Sequence, residues 1–336
     1  MTVIVTGAAG FVGFHTCLAL LARGEAVLGL DDLNAYYDVR LKQARLAVLQ
    51  EKAGFRFKHV DVADRAAVGE AFGRAGEATR VVHLAAQAGV RHSLVDPYAY
   101  VTANVLGHVT ILEAARRLPG LRHVVYASSS SVYGGNTKLP FAEGDPVNTP
   151  VSVYAATKRA DELISHAYGH LYGIPQTGLR FFTVYGPWGR PDMAYYLFAA
   201  AIMRGAPITL YDGGRLRRDF TYVDDIVSGV LACLDRPPAA GSPTQVFNIG
   251  NNRGELVSEL VRLLEASLGR AALIQEASRP VADVVETLAD LSAIERYAGY
   301  RPTTPLAEGI PRFAAWFLRY HAADGDFPLD LVSVSS

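Results

Sequence analysis

The stretch Thr2-Val3-Ile4-Val5-Thr6-Gly7-Ala8-Ala9-Gly10-Phe11-Val12-Gly13 decides the fold. A short β-branched run ends in three glycines spaced GxxGxxG and passes directly into an apolar helical pattern over residues 12–23. Strand, glycine turn and helix in that order form the context in which a dinucleotide fingerprint has physical meaning. Gly7 allows a tight turn, Gly10 lets backbone approach a pyrophosphate, and Gly13 lets the helix pack on the strand. The helix start at Phe11 and Val12 offers unpaired N–H groups and the positive end of a dipole. Working outward, short runs at 26–31, 55–60, 81–84, 124–128 and 176–182 alternate with helical patterns at 39–52, 65–74, 98–117 and 153–172. Such alternation predicts a Rossmann-type, doubly wound α/β fold built on a parallel sheet.

The 336 residues suffice for one large domain or two smaller ones sharing a core. We expect a dinucleotide-binding domain over 1–183, with later returns near 220–250 and 283–298. Residues 184–336 are expected to form mainly a substrate-binding lobe, interleaved with the first. Its loops 186–191 and 213–218 are rich in Gly, Pro and Arg. Lys plus Arg number 32 against 33 Asp plus Glu, so no overall field gathers nucleic acid or anionic lipid. No apolar run approaches the roughly 18 residues of a spanning helix, and the first residues read as structure, with no signal peptide pattern. Two cysteines, Cys17 and Cys233, each inside an apolar helical pattern, make a disulfide framework unsupported. Together these features point to the cytoplasm, without a membrane or nucleic-acid partner and without a metal.

Asp31 closes the second strand 18 residues after Gly13, near the roughly 20-residue offset at which a carboxylate accepts from adenosine ribose hydroxyls. A carboxylate there repels a 2′-phosphate, so NAD is expected over NADP, with Arg40 as the feature that keeps NADP open. Asp61 is placed either to accept from an adenine amino group or to cap the following helix. Tyr154 and Lys158, four residues apart in a helical pattern, share a face. An adjacent ammonium favours the phenolate of a tyrosine whose free pKa is about 10, making it usable as a base. Ser128-Ser129-Ser130-Ser131 ends the fifth strand, at the carboxyl edge where open α/β sheets bind ligands.

With these motifs in place the chain resembles the extended short-chain dehydrogenase/reductases and, within them, the UDP-glucuronate 4-epimerases. The resemblance runs over nearly the whole chain. It is carried by TGAAGFVGFH (6–15), LDDLNAYYDVRLK (30–42), HLAAQAGVRHS (83–93), YASSSSVYGGNTKLPF (126–141), YAATK (154–158), LRFFTVYGPWGRPDM (179–193) and RRDFTYVDDI (217–226). It implies a bound NAD, a UDP-sugar substrate (UDP-glucuronic acid) and a homodimer, for which helices 98–117 and 153–172 are the candidate interface. On matching positions it implies Tyr154 as the base at the sugar 4-hydroxyl, Ser129 as hydrogen-bond partner of that oxygen, and Lys158 on the nicotinamide ribose. Ala85, Gln87 and Asn104 match cofactor contacts. Thr183 and Arg218 match positions reading the diphosphate, and Tyr211 is placed to stack on uracil.

Related sugar 4,6-dehydratases carry an Asp-Glu pair where this chain has Ser130 and Ser131, and UDP-glucuronate decarboxylases carry a Glu at the latter position. Serine hydroxyls do not serve as general acids or bases near neutral pH. The expectation is therefore 4-epimerisation of UDP-glucuronic acid, with UDP-glucose 4-epimerase or decarboxylase as alternatives and a non-catalytic NAD-binding module as a remote one. A 4-ketouronic acid decarboxylates when its carboxylate bond aligns with the carbonyl π system. Ser130 and Ser131 with Arg190 or Arg91 are expected to restrain it, guanidinium matching carboxylate through its fork. One departure from related epimerases lies at Ala282, where a glycine is usual, before Asp283.

Overall fold

In the computed structural model, residues 1–278, 285–322 and 327 are described. The chain runs β1 (Thr2–Thr6), α1 (Phe11–Ala22), β2 (Ala26–Asp31), α2 (Val39–Gln50), β3 (Phe55–His59), α3 (Arg65–Gly73), β4 (Ala78–His83), α4 (Pro97–Tyr100), α5 (Gly107–Ala115), β5 (His123–Ser129), α6 (Val153–Tyr172), β6 (Gln176–Phe181) and β7 (Thr183–Tyr185). It continues α7 (Ala194–Arg204), β8 (Pro207–Tyr211), β9 (Arg217–Tyr222), α8 (Val223–Leu234), β10 (Thr244–Ile249), β11 (Gly254–Leu256), α9 (Val257–Leu268), β12 (Leu273–Ala277), α10 (Ser292–Ala298) and α11 (Leu306–Ala322). The Ala282 and Asp283 position lies outside the described residues.

Seven strands form one sheet in the order β10-β6-β5-β4-β1-β2-β3, every neighbouring pair parallel. The order reverses between β1 and β4, the switch point above which α/β sheets bind ligands. Both faces of the sheet are covered, as the unbroken apolar strands demand. Val3 and Val5 enter one core with Phe14, Leu20 and Val27, while Ile4 enters the other with Leu28, Val81, Ile111 and Val124. Cys17 and Cys233 are free and buried. Among the described residues no helix is long and apolar enough to cross a membrane.

Two elements differ from the sequence reading. The helix expected over 98–117 is interrupted by a π-helical segment, Val101–Leu106, between α4 and α5. The extra residue in that turn brings Asn104 inward, an insertion that a 3.6-residue periodicity does not register. The strand expected to run through Phe182 stops at Phe181, and Thr183 begins β7, which pairs with β9 in a three-stranded second sheet, β11-β9-β7. The chain thereby steps from the main sheet toward the smaller lobe at Phe182. A third pair, β12-β8, lies farther along.

Candidate active site

A cleft of about 410 Å³ lies across the carboxyl edge of the main sheet, within the ~300–1,000 Å³ of small-molecule sites. Its lining contains Gly7, Gly10, Phe11, Val12, Gly13, Asp31, Asp61, Ala85, Gln87, Ser129, Ser130, Ser131, Tyr154, Lys158, Thr183 and Arg190. Sixteen positions read from the sequence therefore share one cavity. The glycines are there for space. A Cβ on Gly13 would stand 1.9 Å from the Gly7 carbonyl oxygen, and one on Gly7 would stand 2.7 Å from the Ala85 nitrogen. Gly7 also has φ +71°, the left-handed region that suits glycine. Gly10 precedes α1 with no side-chain cap, and no acidic residue occupies the first turn. The amides at that end are left for an anion.

Asp31 is buried at the end of β2. Its Oδ2 accepts from the Ala9 amide at 3.0 Å and its Oδ1 from Leu33 at 2.8 Å. Burial lifts its pKa, opposed by the nearby Lys42 ammonium and these two N–H donors. Lys42, within the 30–42 motif but carrying no spacing signal of its own, lines the cleft with Tyr36 and Tyr37. Arg40, by contrast, is clasped by Asp38, its Nη2 2.7 Å from Oδ2, and is not among the lining residues. Asp61 accepts from Ala63 at 2.8 Å, and the helix after it is capped by Asp64 instead.

α6 begins at the N-cap Ser152, whose hydroxyl accepts from Ala155 at 3.1 Å. The helix carries Tyr154 and Lys158 one turn apart. The Tyr154 ring meets Tyr100 edge-on at 6.0 Å. Lys158 Nζ donates to Asp161 Oδ2 at 2.9 Å, both side chains almost fully buried. Desolvation raises Asp161 to about 6 despite that ammonium. The four serines divide their work. Ser128 Oγ donates to Glu162 Oε1 at 2.7 Å, inside a buried pair with Arg180. Ser129 Oγ accepts from the Ser131 amide at 3.2 Å and opens a 3₁₀ turn, Ser130–Tyr133, at the cleft.

Four candidates do not line the cavity. Asn104 is buried and spent: its Oδ1 accepts from Gln87 N at 2.8 Å, and its Nδ2 donates to Gln87 O at 3.1 Å and Thr157 Oγ1 at 2.9 Å. It thus fixes the Gln87 backbone against α6. Arg91 and Tyr211 meet each other, guanidinium carbon 5.9 Å from the ring centroid. Arg218 donates to the carbonyls of Arg217 and Val285. Arg190, inside the cleft, is bound by Asp192, with Nε 3.0 Å from Oδ1 and Nη2 on Oδ2. Tyr36 OH donates to the same Asp192 Oδ2 at 3.2 Å. Asp192 lies within the 179–193 motif, and nothing in its spacing marks it as the partner of Arg190.

A glycine turn at the switch point of a parallel sheet, facing serine, tyrosine and lysine across one cleft, defines a nucleotide-cofactor protein of the short-chain dehydrogenase type. The chain belongs to the NAD dependent epimerase/dehydratase family, whose pattern its residues 3–250 match. It is 48% identical over 337 residues to UDP-glucuronate 4-epimerase 4 of Arabidopsis thaliana, covering 96% of this chain and 77% of that one. It is 41% identical over 332 residues to a probable UDP-glucuronate 4-epimerase of Rhizobium meliloti, covering 94% and 97%. Among solved structures it resembles the UDP-glucuronic acid 4-epimerase of Bacillus cereus in complex with UDP-glucuronic acid and NAD. That likeness has a TM-score of 0.88 and 31% identity, over 95% of this chain and 100% of that one.

Proposed function

We propose that this chain interconverts UDP-glucuronic acid and UDP-galacturonic acid by NAD-dependent 4-epimerisation. The observation that carries the reading is the content of a single cleft: a glycine turn, Ser129, Tyr154 and Lys158, together with Arg190 and two hydroxyls at 130 and 131 where an elimination would need an acid and a base. The glycines whose Cβ atoms would collide with backbone, and the Asp31 carboxylate beside them, fit a dinucleotide. Bound there, NAD would supply the acceptor for the C4 hydride and its return.

The residues of this chain do the rest. Tyr154 takes the proton of the 4-hydroxyl and returns it after the sugar has turned its other face. Ser129 hydrogen-bonds the same oxygen, and Lys158 favours the phenolate while holding ribose hydroxyls. Arg190 turns Nε and Nη2 toward Asp192, which leaves its Nη1 donors for the substrate carboxylate. With Ser130 and Ser131 it holds that carboxylate out of line with the 4-keto π system, so carbon dioxide is retained. Thr183, in the cleft, and Arg218, outside its lining, are read as the diphosphate contacts, and Arg91 with Tyr211, also outside the lining, as the pair that closes on the nucleotide. Residues 184–336 form most of the lobe that reads the UDP-sugar.

A proton NMR time course with UDP-glucuronic acid tests this directly. New anomeric and H4 signals of UDP-galacturonic acid, without a pentose, are expected. A UDP-pentose product would make the protein a decarboxylase, equal rates on UDP-glucose would make it a neutral-sugar epimerase, and retained NAD without turnover would leave a binding module.

The same reading includes a homodimer. Exposed apolar side chains cluster on the π segment, its flanks and α6, where Leu94, Tyr98, Val101, Leu163 and Leu171 stand at least half exposed. An apolar surface of this kind is what a two-fold helix pairing covers. Sedimentation is expected to give twice the chain mass for the wild type and a single-chain mass for a Tyr98→Glu/Leu163→Glu variant. A wild-type monomer at micromolar concentration would end the dimer reading. A nucleotide-sugar substrate and two buried free thiols accord with a place in the cytoplasm.

A further inference from the structure

The loop that brings Arg190 to the cleft is held by its backbone from the cofactor side. Between β7 and α7, three consecutive carbonyls are taken. His15 of α1 meets Pro187 O through Nε2 at 2.9 Å. Arg45 of α2 gives Trp188 O two donors, Nε at 3.1 Å and Nη2 at 2.6 Å, and gives Gly189 O a longer one at 3.2 Å. The remaining nitrogen, Nη1, reaches back to Ala9 O in the glycine turn at 2.9 Å and to Tyr37 OH at 2.8 Å. A carbonyl only accepts, so His15 carries its proton on Nε2, and burial keeps that ring neutral by lowering its pKa to about 4.

Two features make this more than ordinary packing. Arg45 is fully buried, and among the described residues its partners are all neutral oxygens. A buried cation without a carboxylate is costly, and it persists where its geometry is needed. Trp188 also sits at φ +61°, a conformation that a bulky residue adopts only when its surroundings over-determine it. Its ring is fixed against Phe14, Trp316 and Tyr320. From the same β2–α2 segment, Tyr36 holds the Asp192 that aims Arg190.

We propose that Arg45 is a positioning residue for substrate selection. By clamping the backbone that immediately precedes Arg190 to the glycine turn, it sets where the carboxylate-binding guanidinium stands. The proposal rests on the reading of Arg190 as the carboxylate partner, and the test keeps the two apart. Arg45→Lys, Tyr37→Phe and Arg190→Met are made in the full chain. Each is assayed on UDP-glucuronic acid and UDP-glucose, with the inhibition constant of UDP-glucose standing in where it does not turn over.

For Arg45→Lys we expect KM for UDP-glucuronic acid to rise about tenfold with kcat changed less than about threefold, and UDP-glucose affinity to move less than about twofold. Tyr37→Phe, which removes one acceptor on the guanidinium and leaves the clamp otherwise whole, should show the same split at about threefold. A general loosening of the fold would weaken both substrates alike, and that result, in Arg45→Lys or in Tyr37→Phe should the former not be recovered folded, overturns the proposal. If Arg190→Met fails to discriminate the two substrates, it is the carboxylate reading that falls. If Arg190→Met discriminates and the clamp variants do not, only the role of Arg45 falls.

Discussion

At the scale of single residues, Lys158 has two tasks that mutation can separate. Its ammonium is buried against the equally buried Asp161 carboxylate through Oδ2, and among the described residues the Oδ1 of that carboxylate has no hydrogen-bond partner. Removing the lysine alone strands a buried charge, at a cost of about 3–5 kcal/mol. Lys158→Met should therefore lose both activity and stability, whereas Lys158→Met/Asp161→Asn should recover much of the urea midpoint without recovering turnover. Tyr154→Phe, which strands nothing, should keep its midpoint and lose about 10²–10⁴-fold in kcat, the range of general acid–base catalysis. A Tyr154→Phe enzyme within tenfold of wild type would remove Tyr154 from its place as the base. The Tyr154 and Lys158 pair was legible in the sequence because four residues of helix determine it. Asp161 was not, because an acidic residue in a helix pattern reads as solvent-facing until the packing of α6 buries it.

At the scale of elements, the junction of β1 and α1 depends on the absence of side chains. The Gly7 oxygen stands 1.9 Å from where a Gly13 Cβ would be, and 3.0 Å from a Cβ on Gly10. Gly13→Ala must push α1 off the strand, and overpacking of that kind costs about 1–3 kcal/mol or more. We expect a lowered Tm and loss of co-purified NAD. Gly10→Ala is expected to lower NAD retention with a smaller fall in Tm, read by absorbance of the released cofactor and by thermal melting. Wild-type NAD content in Gly13→Ala would contradict the close-packing account. The interrupted helix around Asn104 belongs to the same scale. The sequence pattern pointed to one long helix, and the family resemblance to Asn104 as a cofactor contact; the π segment turns that side chain onto the backbone of Gln87, a cleft-lining residue.

At the scale of the whole molecule, four buried histidines tie stability to pH. Burial lowers His15 and His123 to about 4 and His83 to about 3, and holds His108 well below its usual value, where its ring stacks on His83. Unfolding frees each to an ordinary pKa near 6.5. The stability they contribute is thus present above that value and is lost as pH falls from about 6.5 toward 4, the unfolded state taking up protons that the native state refuses. Asp161 and Asp219, raised to about 6 by burial, act oppositely as the pH drops below 6. The urea midpoint is therefore expected to begin falling near about pH 7 and to keep falling toward about pH 5, the four rings outweighing the two carboxyls, and His123→Gln should flatten that fall by up to one proton. A midpoint unchanged from pH 7.5 to 5.5 would contradict the burial of neutral rings.

By itself the sequence determined the order of strands and helices, the glycine turn, and the serines and Tyr154–Lys158 pair that meet at one sheet edge. Each of these is set within a turn or two of chain, and the doubly wound topology then brings strand ends together. Only the tertiary structure decided that Phe182 leaves the main sheet, that Asp192 and Tyr36 aim Arg190, and that Arg45 reaches a carbonyl 143 residues away. Those contacts join segments with no common periodicity, and they exist because packing two halves of a chain around a buried cleft leaves carbonyls and cations no water to bind.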